Sequence, residues 1–289
     1  MKIRELAQKL ALQEDLNFLL SNRIPRLAAT HFMGWFSQIR QPWVCSASIA
    51  AWKVFSDLDL SEARKQKFDS LHDCFVRELV AGARTPDPDP NILVSPCDGI
   101  VGACGQVEGG NVFQAKGFPY SLNDLFGNEH AARPWHDGVY VTVRITSAMY
   151  HRFHAPYRGT MRQVRYIAGD TWNVNPIALK RVEKLFCKNE RAVLSLEIGA
   201  QRYPVALVPV AAILVGGIRL HGLDTLFHTR YGGPTDFSCT VDFDKGDELG
   251  WFQHGSTILL FAPRGFRLAD QIALGARVKA GQILMRLPG

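Results

Sequence analysis

Trp251-Phe252-Gln253-His254-Gly255-Ser256-Thr257-Ile258-Leu259-Leu260-Phe261-Ala262-Pro263 sets a Gly-Ser-Thr triplet directly before an uninterrupted apolar run. The run reads as a buried strand. The triplet has two readings. As a tight turn entering the strand it needs no further purpose, and on its own it favours that reading. Alternatively, Gly255 has no Cβ and leaves its own carbonyl open to attack from one side. Ser256 is the nearest nucleophile to that carbonyl.

Working outward, the same kind of run recurs. Ile92-Leu93-Val94, Gly99 to Cys104, Val139 to Ile145, Val193 to Ile198, Val205 to Val215 and Thr240 to Phe243 are short, β-branched or apolar, and separated by Gly, Pro, Asn and Asp. This spacing predicts an antiparallel sandwich or barrel rather than alternating βαβ units. Asn123 to Phe126 and Pro176 to Leu185 read as short helices within it. Asp244 to Gly250 and Val278 to Leu284 share a basic turn with Gly followed by a strand. With Ser95 to Val101 they loosely resemble the hairpins of biotinyl and lipoyl carrier domains. A carrier needs an exposed Lys in a Met-Lys-Met or Asp-Lys-Ala setting, and the sequence has none.

Residues 1–83 have a different character. Leu6, Leu10 and Ala11, then Leu16, Leu19 and Leu20, recur at helical spacing, and Pro25 breaks or restarts the pattern. Between 26 and 58, crowded aromatics (Phe32, Trp35, Phe36, Trp43, Trp52, Phe55) interleave with Arg26, Arg40 and Lys53. Amphipathic helices at a bilayer interface have this chemistry: apolar rings sink and basic groups meet lipid phosphates. The competing reading is a helical cap packed on the main domain. Residues 59–80 read as one more amphipathic helix. Arg84-Thr85-Pro86-Asp87-Pro88-Asp89-Pro90 reads as a stiff linker, because alternating prolines fix φ and remove donors. The expectation is an α+β protein: N-terminal amphipathic helices (1–83), a linker (84–90) and a mainly antiparallel β-sandwich or barrel domain (91–289).

Of 289 residues, 47% are apolar and 21% charged, an ordinary globular balance, and the net charge of +6 points to an anionic partner. No Lys/Arg block is dense enough for a nucleic-acid arm, so nucleic acid is not the expected partner. Six cysteines (Cys45, Cys74, Cys97, Cys104, Cys187, Cys239) include no C-x-x-C pair, as in a reduced, intracellular protein. The N-terminus lacks the apolar core of a signal peptide. No window offers the roughly 18 uninterrupted apolar residues of a spanning helix.

Two further segments carry chemistry. Asp98, in Ser95-Pro96-Cys97-Asp98-Gly99, sits where an Asp commonly accepts turn N–H groups. Tyr150-His151-Arg152-Phe153-His154-Ala155-Pro156 holds two histidines. No third ligand has suitable local spacing, so no metal is expected. In an extended segment, His151 and His154 face opposite ways and take different jobs, unless the chain turns between them, which the nearby Pro156 allows. A histidine held by a carboxylate and facing a Ser hydroxyl is a general base. The order Asp98, His154, Ser256 matches no familiar hydrolase order, and no Gly-x-Ser-x-Gly elbow is present.

Together with these segments, Phe75-Val76-Arg77-Glu78-Leu79, Gln114 to Leu122, Gly169 to Asn175, Asn189-Glu190-Arg191, Val215-Gly216-Gly217-Ile218 and Lys245 to Gly250 occur in one order along the chain. In that order they resemble the phosphatidylserine decarboxylases of the bacterial, mitochondrial-related type, from about residue 20 to the C-terminus. The resemblance implies a pyruvoyl enzyme made from a proenzyme, with Asp98, His154 and Ser256 as the self-cleavage triad. Ser256, deprotonated by His154, attacks the Gly255 carbonyl and forms an ester by N-to-O acyl shift. Elimination leaves dehydroalanine, and hydrolysis converts it to the pyruvoyl group with loss of ammonia. The products are a large chain (1–255) and a small chain (256–289) that remain together as a heterodimer. The ketone then forms a Schiff base with the substrate amine and accepts the electron density released with CO2, giving phosphatidylethanolamine.

His151 is the candidate proton donor or substrate contact; a packed histidine beside the triad is the competing reading. Thr257 either positions the pyruvoyl amide or is a structural hydroxyl. His254 and Cys97 depart from the family's usual residues, and neither removes a triad member. The implied partner is phosphatidylserine in an anionic membrane, met peripherally from the cytoplasmic side of the cell membrane. Homo-oligomerisation is left open. Two rivals stand: a Ser-His-Asp hydrolase acting on an external ester, and a non-catalytic biotinyl-like carrier or adaptor.

Overall fold

The computed structural model describes residues 13–115, 118–214, 217–223, 225–253 and 256–289. The helical spacing at Leu6, Leu10 and Ala11, and both His254 and Gly255, lie outside the described residues.

The described residues begin with α1 (Glu14–Asn22), α2 (Arg26–Phe36) and α3 (Pro42–Phe55). Pro25 immediately precedes α2, and Pro42 opens α3, where its fixed φ and missing N–H cost nothing. The expected helix over 59–80 is confined to α4 (Leu71–Phe75), which Ser70 caps by accepting the Asp73 N–H at 3.1 Å. Upstream, Asp59 accepts the Ser61 N–H at 2.9 Å and bends the chain. Ala63 then pairs antiparallel with Leu79. A local turn and a long-range pairing together override the helical pattern there.

The β-rich part runs β1 (Ile92–Val94), β2 (Gly99–Gln106), β3 (Asn111–Ala115), β4 (Phe118–Ser121), α5 (Leu122–Phe126), α6 (Glu129–Ala132), a 3-10 turn (Arg133–Trp135), β5 (Val139–Ile145), β6 (Arg152–His154) and β7 (Gly159–Ile167). It continues with α7 (Pro176–Leu179), α8 (Leu185–Lys188), β8 (Arg191–Ile198), β9 (Tyr203–Ala211), β10 (Ile218–Leu220), β11 (Leu226–Phe227), β12 (Asp236–Phe243), β13 (Glu248–Phe252), β14 (Ser256–Ala262), β15 (Arg267–Leu268), β16 (Arg277–Val278) and β17 (Ile283–Arg286). The fold class is α+β, as expected. The strand pairs of every sheet are antiparallel.

The main sheet has the order β12-β7-β8-β9-β14-β5-β2-β16. β14 lies inside it, between β9 and β5. Its residues 257–262 are buried, which is why that run is apolar without alternation. A four-stranded sheet, β11-β10-β13-β6, stands beside it. There Gly250 is required: a Cβ would meet the Arg219 carbonyl and the Phe153 ring. β17 pairs with β1 and β15 in a small third sheet, and β3 pairs with β4.

The helices are fastened to this body by polar contacts. Arg26 makes an ion pair with Asp170 at 2.5 Å, and Thr30 accepts the Leu214 N–H at 3.0 Å. Residues 84–90 also pack down: Asp87 N–H donates to Gly281 O at 2.9 Å, and Lys245 Nζ donates to the carbonyls of Asp87 and Asp89. No helix among the described residues is long and apolar enough to cross a membrane.

Candidate active site

Ser256 is the first residue of β14, with Ile145 of β5 on one side and Ala211 of β9 on the other. The strand before it in the chain, β13, belongs to the four-stranded sheet, whereas β14 belongs to the main one. β13 runs antiparallel to β6, with Glu248 opposite His154. At the far end of this pairing, Phe252 N–H donates to His151 O at 3.1 Å. The last residue of β13 is therefore bonded to His151.

His154 is held at both ring nitrogens. Nδ1 lies 2.9 Å from Gly246 O, and Nε2 lies 3.0 Å from the Tyr150 hydroxyl. A carbonyl only accepts, so Nδ1 carries the proton; Nε2 of the neutral ring then accepts from the Tyr150 O–H. Burial lowers the His154 pKa, opposed by the Gly246 bond and by the charges of Glu248 and Asp98. Burial also raises the Tyr150 pKa, so its phenol keeps its proton. The ring is thus a neutral imidazole whose basic nitrogen is covered by one hydroxyl.

Asp98 approaches from the loop before β2. His154 N–H donates to Pro96 O at 2.7 Å, which ties that loop to β6. The Asp98 carboxylate, however, is taken by another partner. Arg84 grips both oxygens, Nε to Oδ1 at 2.7 Å and a terminal nitrogen to Oδ2 at 2.6 Å. Ala280 N–H adds a third bond to Oδ1 at 2.9 Å, and Arg84 also reaches Glu62 at 2.8 Å. A two-pronged guanidinium matches a carboxylate better than a single imidazole N–H does. Asp98 therefore acts on His154 through its charge, not through a described hydrogen bond.

His151 is fully buried, with its ring centroid 3.9 Å from that of Phe75. Thr257, next to Ser256, is also fully buried, and its hydroxyl has no partner among the described residues.

Two cavities share Thr146 and Ser147 in their walls. The first, about 730 Å³, lies between the N-terminal helices and the end of the main sheet. Met33, Trp52, Phe55 and Phe75 line it on the helix side, and Ile145 and Ala212 on the sheet side. Ile145 is the strand partner of Ser256, and Ala212 follows its other partner. The second, about 620 Å³, is polar and lined by Arg77, Arg84, Asp98, Tyr150, Arg277 and Lys279 among others. Asp57, Asp59 and Glu62 in the same wall balance its cations.

A family profile described as phosphatidylserine decarboxylase matches residues 71–286. The chain belongs to that family. It is 33% identical over 282 residues to a phosphatidylserine decarboxylase proenzyme of Erwinia tasmaniensis, covering 92% of each chain. It is 34% identical over 277 residues to the one from Escherichia coli, covering 90% of this chain and 84% of that one. Against the Klebsiella pneumoniae proenzyme it is 33% identical over 284 residues, covering 93% and 88%. The chain is accordingly an enzyme of the phosphatidylserine decarboxylase family. The profile starts at the first residue of α4, whereas these relatives extend over most of the chain.

Sequence reasoning missed Arg84, Glu62 and Gly246. Arg84 was assigned to a linker, and nothing local says that this linker returns to Asp98. Tyr150 was visible four residues before His154, a spacing that allowed the contact, but an extended segment gave no reason to expect it.

Proposed function

We propose that this enzyme cuts itself between Gly255 and Ser256 and then decarboxylates phosphatidylserine with a pyruvoyl group made from Ser256. The observation that carries the proposal is the position of residue 256. It opens a strand paired on both sides, and its strand partner lines an apolar cavity adjoining a polar one. That layout suits a reaction on the polar head of a lipid.

The chain's own residues divide the work. His154, neutral at Nε2, takes the Ser256 proton once Tyr150 yields the lone pair or relays through it. Asp98 stabilises the resulting imidazolium by its charge, with Arg84 and Ala280 fixing its place. Ser256 Oγ bonds to the Gly255 carbonyl carbon as the amide C–N bond breaks. Elimination from the ester then releases the carboxyl terminus of Gly255 and leaves dehydroalanine at 256, which water hydrolyses to the pyruvoyl ketone with loss of ammonia. A pyruvoyl group at 256 supplies a ketone that captures the substrate amine and takes up the electron pair released with CO2. The setting fits such a group: its backbone is clamped by two strands, and the next residue is Thr257, whose buried hydroxyl has no partner among the described residues. His151 supplies a proton to substrate.

The membrane reading rests on α1 to α3. Leu19, Leu27, Phe32, Trp35, Trp43, Val54 and Phe55 are exposed there. Phe55 also lines the apolar cavity, so the cavity opens next to this apolar surface. A peripheral enzyme resting these rings in the interface of an anionic membrane draws its substrate in without lifting the acyl chains into water.

Intact mass with a denaturing gel tests the proposal. Two chains are expected, the smaller covering 256–289 with a blocked amino terminus, and Ser256→Ala gives one inactive chain. An active protein found only as an unbroken chain overturns it and favours the hydrolase.

A further inference from the structure

Among the described residues, Arg144 is the one charged side chain in the wall of the apolar cavity. It is partly buried, and among the described residues its guanidinium has no hydrogen bond, ion pair or ring partner. Burial lowers its pKa, with no neighbouring carboxylate offsetting the cost. Three other arginines near the site are spoken for: Arg84 by Asp98 and Glu62, Arg152 by Glu248, Arg77 by the carbonyls of Cys74 and Ala148; Arg277, in the wall of the polar cavity, is exposed to solvent. A desolvated cation without a counter-ion is costly unless something anionic completes it.

Its place in the sheet says where that anion lies. Arg144 is opposite Thr257 in the β5–β14 register, one residue from position 256, and faces a cavity otherwise lined by apolar and neutral polar groups. The ligand is therefore an amphiphile: apolar chains in the cavity, one anion at Arg144, and a reacting group near 256.

We propose that Arg144 binds the phosphodiester of the phospholipid substrate. This rests on the reading of the reaction given above. The headgroup offers two anions, and the chemistry separates them. A guanidinium on the carboxylate would stabilise the negative charge that must pass to Cα as neutral CO2 departs, and so oppose the reaction. The phosphodiester keeps its charge from substrate to product. Its amine is joined to phosphorus only through Cα, Cβ and the ester oxygen, a short tether suited to neighbouring positions in one sheet. Arg144 therefore strengthens ground state and transition state alike.

The test compares wild type with Arg144→Gln and Arg144→Lys, using short-chain phosphatidylserine as substrate. Arg144→Gln still cuts itself into two chains, raises KM about tenfold or more and leaves kcat within about a factor of two. Arg144→Lys recovers part of the loss. Independently of turnover, the uncut Ser256→Ala chain binds dihexyl phosphate, and adding Arg144→Gln weakens this about tenfold or more; dihexyl ether binds both alike. An unchanged KM, or a fall confined to kcat, overturns the assignment; so does equal dihexyl phosphate binding with and without Arg144. If wild type shows no decarboxylation, the reading of the reaction fails, while the dihexyl phosphate comparison still decides whether Arg144 holds a phosphodiester. If Arg144→Gln does not fold, the same comparison with Arg144→Lys decides it, with a smaller loss expected.

Discussion

In the proposed self-cleavage, His154 as the base would set the pH behaviour. Burial holds its pKa below the usual 6.5, so the neutral base is already present in mildly acid solution. The cleavage rate is expected to rise with pH and level off with a midpoint below 6.5, followed by gel densitometry across pH. Asp98→Asn removes a charge that raises the His154 pKa, so the midpoint moves lower and the rate on the plateau falls. A midpoint that moves up would refute the electrostatic role. His151→Ala is expected to cleave normally yet decarboxylate about 100-fold more slowly or worse; normal turnover removes His151 from the reaction. Glu190 titrates for a different reason. It is fully buried, Tyr166 donates to Oε1 at 3.0 Å, and Oε2 has no partner among the described residues. Burial raises its pKa from 4.5 to about 7. Between those values the folded state keeps a proton that the unfolded chain releases. Its contribution to stability is complete below 4.5 and is lost as pH rises through about 7, with a ceiling of about 3 kcal/mol. In the uncut Ser256→Ala background, Glu190→Gln should abolish that decline when denaturant midpoints are compared at acid and alkaline pH. An unchanged decline would place its source elsewhere.

At the scale of elements, the legible parts were those whose pattern has one physical outcome. Ile258 to Phe261 is too short for a helix in this setting and apolar on both faces, so an interior strand was the reading, and β14 is that strand. β7 escaped notice because Arg162, Gln163 and Arg165 interrupt its apolar residues; only some of its positions are buried, and its partners are β8 and β12. The stretch 59–70 misled for the opposite reason, since helical periodicity gave way to a turn at Asp59 and a pairing with Leu79. In the site, Gly255-Ser256 and the histidine motif were visible as local sequence, while Arg84's hold on Asp98 spans a fold that no local pattern encodes. Exposed rings on α2 and α3 give the element-scale test. Trp35 and Trp43 are 64% and 74% exposed, so replacing both with Gln removes almost no packing. Affinity for phosphatidylserine-containing vesicles should fall about tenfold or more by sedimentation, with the thermal midpoint unchanged. Undiminished sedimentation would mean that these helices only cap the body.

For the whole molecule, the proposed cut raises the question of what keeps 1–255 and 256–289 together. The small chain would hold β14, β15, β16 and β17, and three of these pair with strands of the large one: β14 with β5 and β9, β16 with β2, and β17 with β1. Ile258, Leu259, Leu260 and Phe261 are each fully buried inside the main sheet. At about 1.5–3 kcal/mol per side chain, those four alone contribute roughly 6–12 kcal/mol of gross apolar burial, an upper estimate because the unfolded chain already hides some of it. Backbone bonds on both edges of β14 add to this, and pulling the strand out would leave β5 and β9 with unpaired N–H and C=O groups. The cut lies at the end of that strand and leaves its pairing intact. The two chains should therefore co-elute at one size on a native column, even after long dilution and in high salt, because the attachment is apolar and backbone-bonded. They should separate only in denaturant. Free small chain on a native column would show that β14 is held far more weakly than its burial requires.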